Sequence, residues 1–362
     1  MSALLSPHPA TRFALPVDSA ATEPAEYRGL ERDAVRLLLA RNTGLSHHRF
    51  HELPDLLEPG DLLVVNTSPT LPAAVDTDLG TGDVRPLHVS TPLDNGDWVI
   101  EVRLADNSGP ERGLAAGAVL GIPGDRSLRL VSAYPDPSVS ATRLWRAAAP
   151  AGTSHATYLR RYGRPISYGY QPRSFPLSDY QTVYARDGET EPVGSAEMAS
   201  AGRPITAQVL TRLMARGITV APIVLHAGVA SPEAHEPPTP ERFVVPGSTG
   251  RLVDATRAAG GRVVAVGTTV VRALETAARP NGRVPATEGW TDLVLGPDHQ
   301  TRVVSGLISG LHEPEASHLL LLEAIVGREL VAQTYAAAAA EHYLWHEFGD
   351  STLLLPQGLT SG

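Results

Sequence analysis

Between about Pro72 and Pro150 the chain repeats one pattern at close intervals. A short run of alternating apolar and polar residues is followed by a turn rich in Gly, Pro and Asp. The runs fall at 84–90, 98–104, 119–122, 128–134 and 142–147. Such spacing fits a small all-β barrel or sandwich. Sequence with helical character resumes only after residue 157, so the segment reads as an insertion. A length of 362 residues carries a prior of about two domains. The expected fold class is therefore α/β. A layered α/β large domain is built from residues 1–70 and 151–362, with an inserted small all-β barrel domain at 71–150.

The flanking parts support this division. Residues 1 to about 30 are rich in Pro, Ala and Ser and are expected to run over the surface. VRLLLA at 35–40 reads as a strand, 47–57 as a short helix or turn, and LLVVN at 62–66 as a buried strand. Thr206 is a plausible N-cap for a helix with Val209, Leu210, Leu213 and Met214 on one face and Gly217 as its stop. The apolar run at 219–226 reads as a strand, in which Pro222 implies an edge or a bulge. A helix at 252–259 ends at Gly260-Gly261. A buried strand at 262–266 then runs through Gly267-Thr268-Thr269 into a helix that reaches Ala278. Strands are expected at 291–295 and 302–307, and helices at 314–326 and 329–342. This alternation of strand and helix indicates a layered α/β domain.

Composition removes several function classes. There is no cysteine, which excludes disulfides, thiolate nucleophiles and Cys-ligated metals. All 30 basic residues are arginine, which excludes a Schiff-base lysine and the P-loop lysine. A net charge of −9 is unlike that of a general nucleic-acid binder, although a local Arg patch would still hold phosphates. No apolar run approaches the roughly 20 residues of a membrane span, and residues 1–13 lack a secretory pattern. The expectation is a cytoplasmic protein with no membrane partner. Composition leaves its oligomeric state open.

The strongest local signal is VVAVGTTVVRALE at 263–275. A buried strand ends at Gly267, and a helix starts with Thr268 or Thr269 as cap. Free N–H groups and the helix dipole there suit a carboxylate or phosphate, with Arg272 one turn in. An ordinary capped junction, with Arg272 and Glu275 as a surface pair, is the alternative. His226 closes a strand where α/β sites commonly form, and a structural strand-end histidine is about as natural. His47, His48 and His51 lie in a polar segment without a spaced acidic partner, so a solvated face is expected rather than a metal site. His312-Glu313-Pro314 lacks the H-E-x-x-H spacing of zinc hydrolases. His312 itself stands between a Gly-rich strand end and a helix start. The loop 191–206 is rich in small residues and carries the acid Glu197 within it and one base, Arg203. It would let a ligand approach the backbone, or simply connect.

Several segments together resemble one family. His48-Arg49-Phe50-His51 is followed by LLEPGDLLVVN at 56–66, DYQTVYA at 179–185 and APIVLHAG at 221–228. GRVVAVGTTVVRALE follows at 261–275, then Leu311-His312, Ser317-His318-Leu319-Leu320, Tyr343 and Phe348-Gly349-Asp350. In order and separation these resemble the S-adenosylmethionine:tRNA ribosyltransferase-isomerases of queuosine biosynthesis. The resemblance implies a large α/β domain carrying a small β-barrel. It implies S-adenosylmethionine as co-substrate, no metal, and tRNA carrying a 7-aminomethyl-7-deazaguanine base as partner. In the implied reaction the ribosyl carbons, not the methyl group, are transferred. A base removes the C5′ proton beside the sulfonium, adenine and methionine leave, and epoxyqueuosine forms.

On this reading His226, His312 and Glu197 are the candidate proton-transfer groups. Gly267, Thr268, Thr269, Arg272, Asp179, Tyr180, Gln181, Ser200, Gly202, Arg203 and Asn66 are the candidate binding residues. Three family patterns are altered, one of them H-L-P, which stands here as His312-Glu313-Pro314. N-D-T-R stands here as Asn66-Thr67-Ser68-Pro69, and T-A-G-L-H-F-T as Ser200-Ala201-Gly202-Arg203-Pro204-Ile205-Thr206. The losses fall in loops, so the resemblance carries the fold further than the substrate. Three functions follow: the family activity, a diverged S-adenosylmethionine-using enzyme with a small-molecule acceptor, or a non-catalytic nucleoside- or RNA-binding paralogue.

Overall fold

The strands at the centre of the molecule are apolar at every position, because they are covered on both faces. The structure, a computed structural model, describes residues 8–80, 82–139, 142–186, 193–230, 236–296 and 299–356. The chain opens with a hairpin, Arg36–Arg41 (β1) and Gly44–Arg49 (β2), a short helix Leu53–Leu56 (α1) and Leu62–Asn66 (β3). Ala74–Asp78 (β4), Val84–Pro92 (β5), Trp98–Val102 (β6), Val119–Ile122 (β7), Arg126–Ala133 (β8) and Leu144–Ala148 (β9) follow without an intervening α-helix. The rest alternates: His155–Tyr162 (α2), Ala207–Ala215 (α3), Thr219–Leu225 (β10), Glu241–Val245 (β11), Gly247–Ala258 (α4), Val263–Val266 (β12) and Thr268–Ala277 (α5). Thr287–Thr291 (β13), Gly306–Gly310 (β14), Ser317–Val326 (α6), Arg328–Ala340 (α7) and Ser351–Leu354 (β15) complete it.

Nine strands form one sheet in the order β13-β11-β10-β3-β12-β14-β15-β1-β2. Its centre, β10-β3-β12-β14, is parallel. Side chains alternate between the faces. Leu62 and Val64 of β3, with Val263 and Ala265 of β12, meet α4, α5, α6 and α7 on one side. Leu63, Val65, Val264 and Val266 face the layer of α1 and α3 on the other.

Six strands close into a barrel in the order β4-β5-β6-β9-β8-β7. Closure between β4 and β7 rests on the pair Asp78↔Gly121, where Thr77 Oγ1 also donates to the Gly121 carbonyl (2.9 Å). Leu87, Val89, Ile100, Leu120, Leu128 and Leu130 fill the barrel core, and α2 packs against it through Ala156, Tyr158 and Leu159. The architecture is thus α/β, a layered domain plus a small all-β barrel, as the alternation patterns indicated.

Local differences have physical causes. Residues 47–49 extend as part of β2, paired with β1 from Arg36↔Arg49 onward, and the helical turns begin only at Phe50. The strand expected at 291–295 is instead β13, which ends at Thr291. The one expected at 302–307 starts at Gly306, because the N–H groups of Arg302, Val303 and Val304 are drawn to the Glu275 carboxylate. Pro222 sits inside the sheet, paired with Val65 of β3, but β11 begins opposite β10 only at Val224. The missing N–H therefore falls in a stretch with a strand on one side alone.

Candidate active site

Four parallel strands end on the same side, and in open α/β sheets ligands bind at that edge. The segments that leave β10, β12 and β14 contribute residues 227–230, 267–269 and 311–312 to a cavity of ≈ 380 Å³. Its size lies within the roughly 300–1,000 Å³ of small-molecule sites. The barrel supplies Arg143, and the segment after α2 supplies Tyr168 and Tyr170. The cavity therefore lies at the junction of the two folding units.

Four carboxylates line it: Glu197, Glu241, Glu313 and Glu347. Glu197 arrives on a strand-like loop. Ser195 N–H bonds to the Pro69 carbonyl (2.8 Å), and Ala196 N–H to that of Ala227 (2.7 Å). The Glu197 carboxylate accepts the Tyr168 hydroxyl and the Ala230 N–H (2.9 Å). Burial raises its pKa to about 7, against the pull of these donors. Glu241 accepts the Gly228 N–H (3.1 Å) and is paired with Arg272. Glu347 accepts the Tyr170 hydroxyl and the Gln171 amide (2.7 Å), and burial raises its pKa too.

Opposite stands the start of α5. Gly267 is the N-cap, at φ 93°, a conformation that suits glycine. Its N–H is held by the Ile308 carbonyl (2.8 Å), and no side chain caps the helix. Thr268 and Thr269 thus present the first-turn N–H groups, which have no intrahelical acceptor, at the cavity wall. The expected threonine cap is replaced by this uncapped glycine. Arg272 lines the wall but is occupied: it pairs with Glu241 and donates to the carbonyls of Leu293 (3.0 Å), Thr239 (3.1 Å) and Thr291 (3.1 Å). Glu275 is buried and binds other N–H groups, so the surface pair with Arg272 does not form.

His312 and His318 also line the cavity, stacked with centroids 4.3 Å apart and 6° between planes. Ser309 Oγ holds His312 Nε2 at 2.9 Å. Burial lowers the His312 pKa far below the usual value and that of His318 to about 4, so both are neutral at pH 7. Tyr180 and Ser200 complete the set of candidates that the fold brings here.

The other candidates lie behind the wall. His226 Nδ1 meets Ser68 Oγ (2.8 Å), which meets Ser195 Oγ (2.8 Å). Burial lowers its pKa to about 4. Asn66 clamps the end of β10: its amide donates to the Leu225 carbonyl (2.8 Å), and its Oδ1 accepts the Leu225 N–H (3.0 Å). Gln181 pairs its amide with both main-chain groups of Thr70 (3.0 and 2.7 Å). Arg203 is buried against Glu26 (3.0 Å) and donates to the Asp179 carbonyl (2.8 Å), while Asp179 itself accepts the Tyr27 hydroxyl (2.9 Å). Gly202 backs onto Tyr184, where a Cβ would lie 1.9 Å from the hydroxyl. These groups tie loops together. His226→Ala is expected to cost about 1–2 kcal/mol of stability from lost hydrogen bonding while kcat stays within about threefold. Thermal unfolding and steady-state rates on one preparation check this. A collapse of kcat at unchanged Tm would return His226 to the reacting groups.

Tyr168, Tyr170, Glu241, His318 and Glu347 were not among the sequence candidates for a role here. The alternation Tyr168-Gly169-Tyr170 after a helix is a weak signal that two rings share a face. Nothing local marks Glu241 or Glu347 as buried.

Comparison with known proteins gives a consistent picture. A family described as "Queuosine biosynthesis protein" matches residues 10–354. The S-adenosylmethionine:tRNA ribosyltransferase-isomerase of Moorella thermoacetica is 33% identical, over 95% of this chain and 98% of its own length. That of Symbiobacterium thermophilum is 34% identical, with the same two coverages. The crystal structure of an S-adenosylmethionine tRNA ribosyltransferase from Thermotoga maritima superposes with a TM-score of 0.52 at 28% identity, covering 95% of this chain and 99% of that one.

Proposed function

This chain belongs to the queuosine biosynthesis protein family, and we propose that it is an S-adenosylmethionine:tRNA ribosyltransferase-isomerase working in the barrel–sheet cavity. The observation that carries the reading is the pairing of an uncapped helix N-terminus with a wall of carboxylates. S-adenosylmethionine carries a sulfonium and an ammonium beside a carboxylate. The 7-aminomethyl-7-deazaguanine acceptor brings a further amine. An anionic wall suits the cations, and the first-turn N–H groups of Thr268 and Thr269 suit the methionine carboxylate.

The chemistry follows from the same groups. The sulfonium acidifies C5′, and a base must take that proton. Glu197, with a pKa near 7, is substantially ionised at neutral pH yet remains a competent base. Tyr168 and the Ala230 N–H fix its orientation. The neutral stacked pair His312–His318 offers a flat imidazole face on which adenine can lie without charge repulsion. Loss of adenine and then methionine leaves the ribosyl carbons on the base, as epoxyqueuosine.

A second reading, a small cationic acceptor in place of tRNA, is favoured by one observation. Both arginines that line the cavity are bound to carboxylates, Arg272 to Glu241 and Arg143 to Glu101 and Glu236. Neither is set out for phosphate. The test is mass-spectrometric release of adenine and methionine from S-adenosylmethionine, with and without tRNA bearing the aminomethyl base. Release that requires this tRNA supports the first reading. Release with other amines but not with the tRNA supports the second. Binding without release under any acceptor would leave only a nucleoside-binding paralogue.

A further inference from the structure

The turn after β14 and α7 that precedes β15 carries a second acid into the cavity. Residues 344–350 form a closed turn: Asp350 N–H donates to the Leu344 carbonyl, and Leu344 N–H to Asp350 Oδ2, each at 2.8 Å. Trp345 and Phe348 within this turn are buried. Trp345 is pinned through its N–H to the Ser19 carbonyl (2.7 Å), and Phe348 packs on Tyr180 with centroids 5.2 Å apart. Between these anchors His346 adopts φ 72°, the left-handed region that non-glycine residues seldom occupy. Such backbone persists only where the surroundings enforce it. The result is that His346 and Glu347 both face the cavity.

The carboxylates of the cavity are not equivalent, and Glu313 stands apart, 3.8 Å from His346 Nε2. Glu241 has a guanidinium partner, whereas among the described residues Glu197 and Glu347 have only neutral donors: a tyrosine each, plus an N–H or a carboxamide. The two tyrosines stack with centroids 6.1 Å apart, and His346 stacks on Tyr170 at 4.2 Å. Glu197 and Glu347 therefore sit on one continuous aromatic wall, and each disfavours ionisation of the other. The groups facing Glu347 are Tyr170 and Gln171 from the segment after α2, Tyr168 and Tyr180 beyond them, Glu197 across the wall, and His346 on its own turn.

We propose that Glu347 is the second proton-transfer residue of this cavity, the general acid that protonates departing adenine while Glu197 acts as base. The proposal rests on the function argued above. The C5′–H bond breaks toward Glu197, which takes the proton and leaves the electron pair on C5′ beside the sulfonium. When the bond from C1′ to N9 breaks, its electron pair leaves with adenine, and the Glu347 carboxyl gives its proton to a ring nitrogen of that base. Glu197 ends protonated and Glu347 ionised, and exchange with water restores both. The Ala230 N–H favours the anion at Glu197, and Glu347 takes the complementary role.

The test is the pH profile of adenine release by the full chain with S-adenosylmethionine and the aminomethyl-deazaguanine tRNA. The wild type should be bell-shaped. Glu347→Gln should lower kcat about 10²-fold, the scale of one acid or base, flatten the alkaline limb and leave KM for S-adenosylmethionine within about threefold. An S-adenosylmethionine analogue whose purine leaves without protonation should restore the E347Q rate to near the wild-type level. Tyr170→Phe, which keeps the carboxyl, should shift the alkaline limb rather than remove it. If E347Q keeps that limb, or slows both nucleobases equally, Glu347 only shapes the wall and the inference is overturned. If the wild type releases no adenine with any acceptor, the parent reading falls and this inference falls with it.

Discussion

Glu197→Gln is expected to abolish turnover almost completely, with kcat down about 10²–10⁴-fold and S-adenosylmethionine affinity changed by less than about fivefold. The side chain is half-buried at the cavity wall, between the Tyr168 hydroxyl and the Ala230 N–H. An amide preserves the shape and still accepts from one of these donors, but it takes no proton. Burial opposes the ionised acid, so the neutral amide should leave Tm unchanged or slightly higher. Isothermal titration, thermal unfolding and adenine release on the same sample separate these effects. The sign of the pH dependence is fixed as well. A base works ionised, so wild-type activity should rise with pH through about 7, the pKa of Glu197. An E197Q variant with near-normal kcat would remove the base from the mechanism.

Arg272→Met is expected to be the most damaging single change to stability. The guanidinium is 6% exposed, its Glu241 partner 12%. All its described contacts are internal: one carboxylate and three carbonyls. Removing one partner of a buried pair leaves an uncompensated charge and typically costs about 3–5 kcal/mol. The double variant Arg272→Met with Glu241→Gln should recover part of that loss, because the stranded carboxylate is gone. Denaturant unfolding of the two singles and the double checks this. Equal losses in the single and the double would mean that packing, not charge, dominates.

The legible part of this molecule was what repeats. Period-two alternation marks the barrel strands, and continuous apolar runs such as 62–66 and 263–266 mark strands covered on both faces. The junction at Gly267 was visible because a strand, a glycine and a helix start follow one another within a few residues. Glu197 was visible as an acid set among small residues in a loop. Long-range partners were not. Nothing near Arg272 announces Glu241, 31 residues upstream, and the sequence alone left the guanidinium free for a ligand. His226 looked reactive because it ends a strand, yet Ser68, 158 positions away, turns it inward. Glu347 is not marked locally, because its place at the cavity depends on a strained turn pinned by Ser19, far away in the chain.

The decisive measurement uses S-adenosylmethionine labelled in its ribose carbons. The enzyme is incubated with tRNA carrying 7-aminomethyl-7-deazaguanine, the tRNA is digested, and its nucleosides are weighed by mass spectrometry. The expected product retains the ribose label on the deazaguanine nucleoside, with unlabelled adenine released, and the product is lost in E197Q. Adenine release with the label recovered only in small molecules, or a tRNA whose nucleosides are unchanged in mass, would contradict ribosyl transfer to tRNA in this cavity.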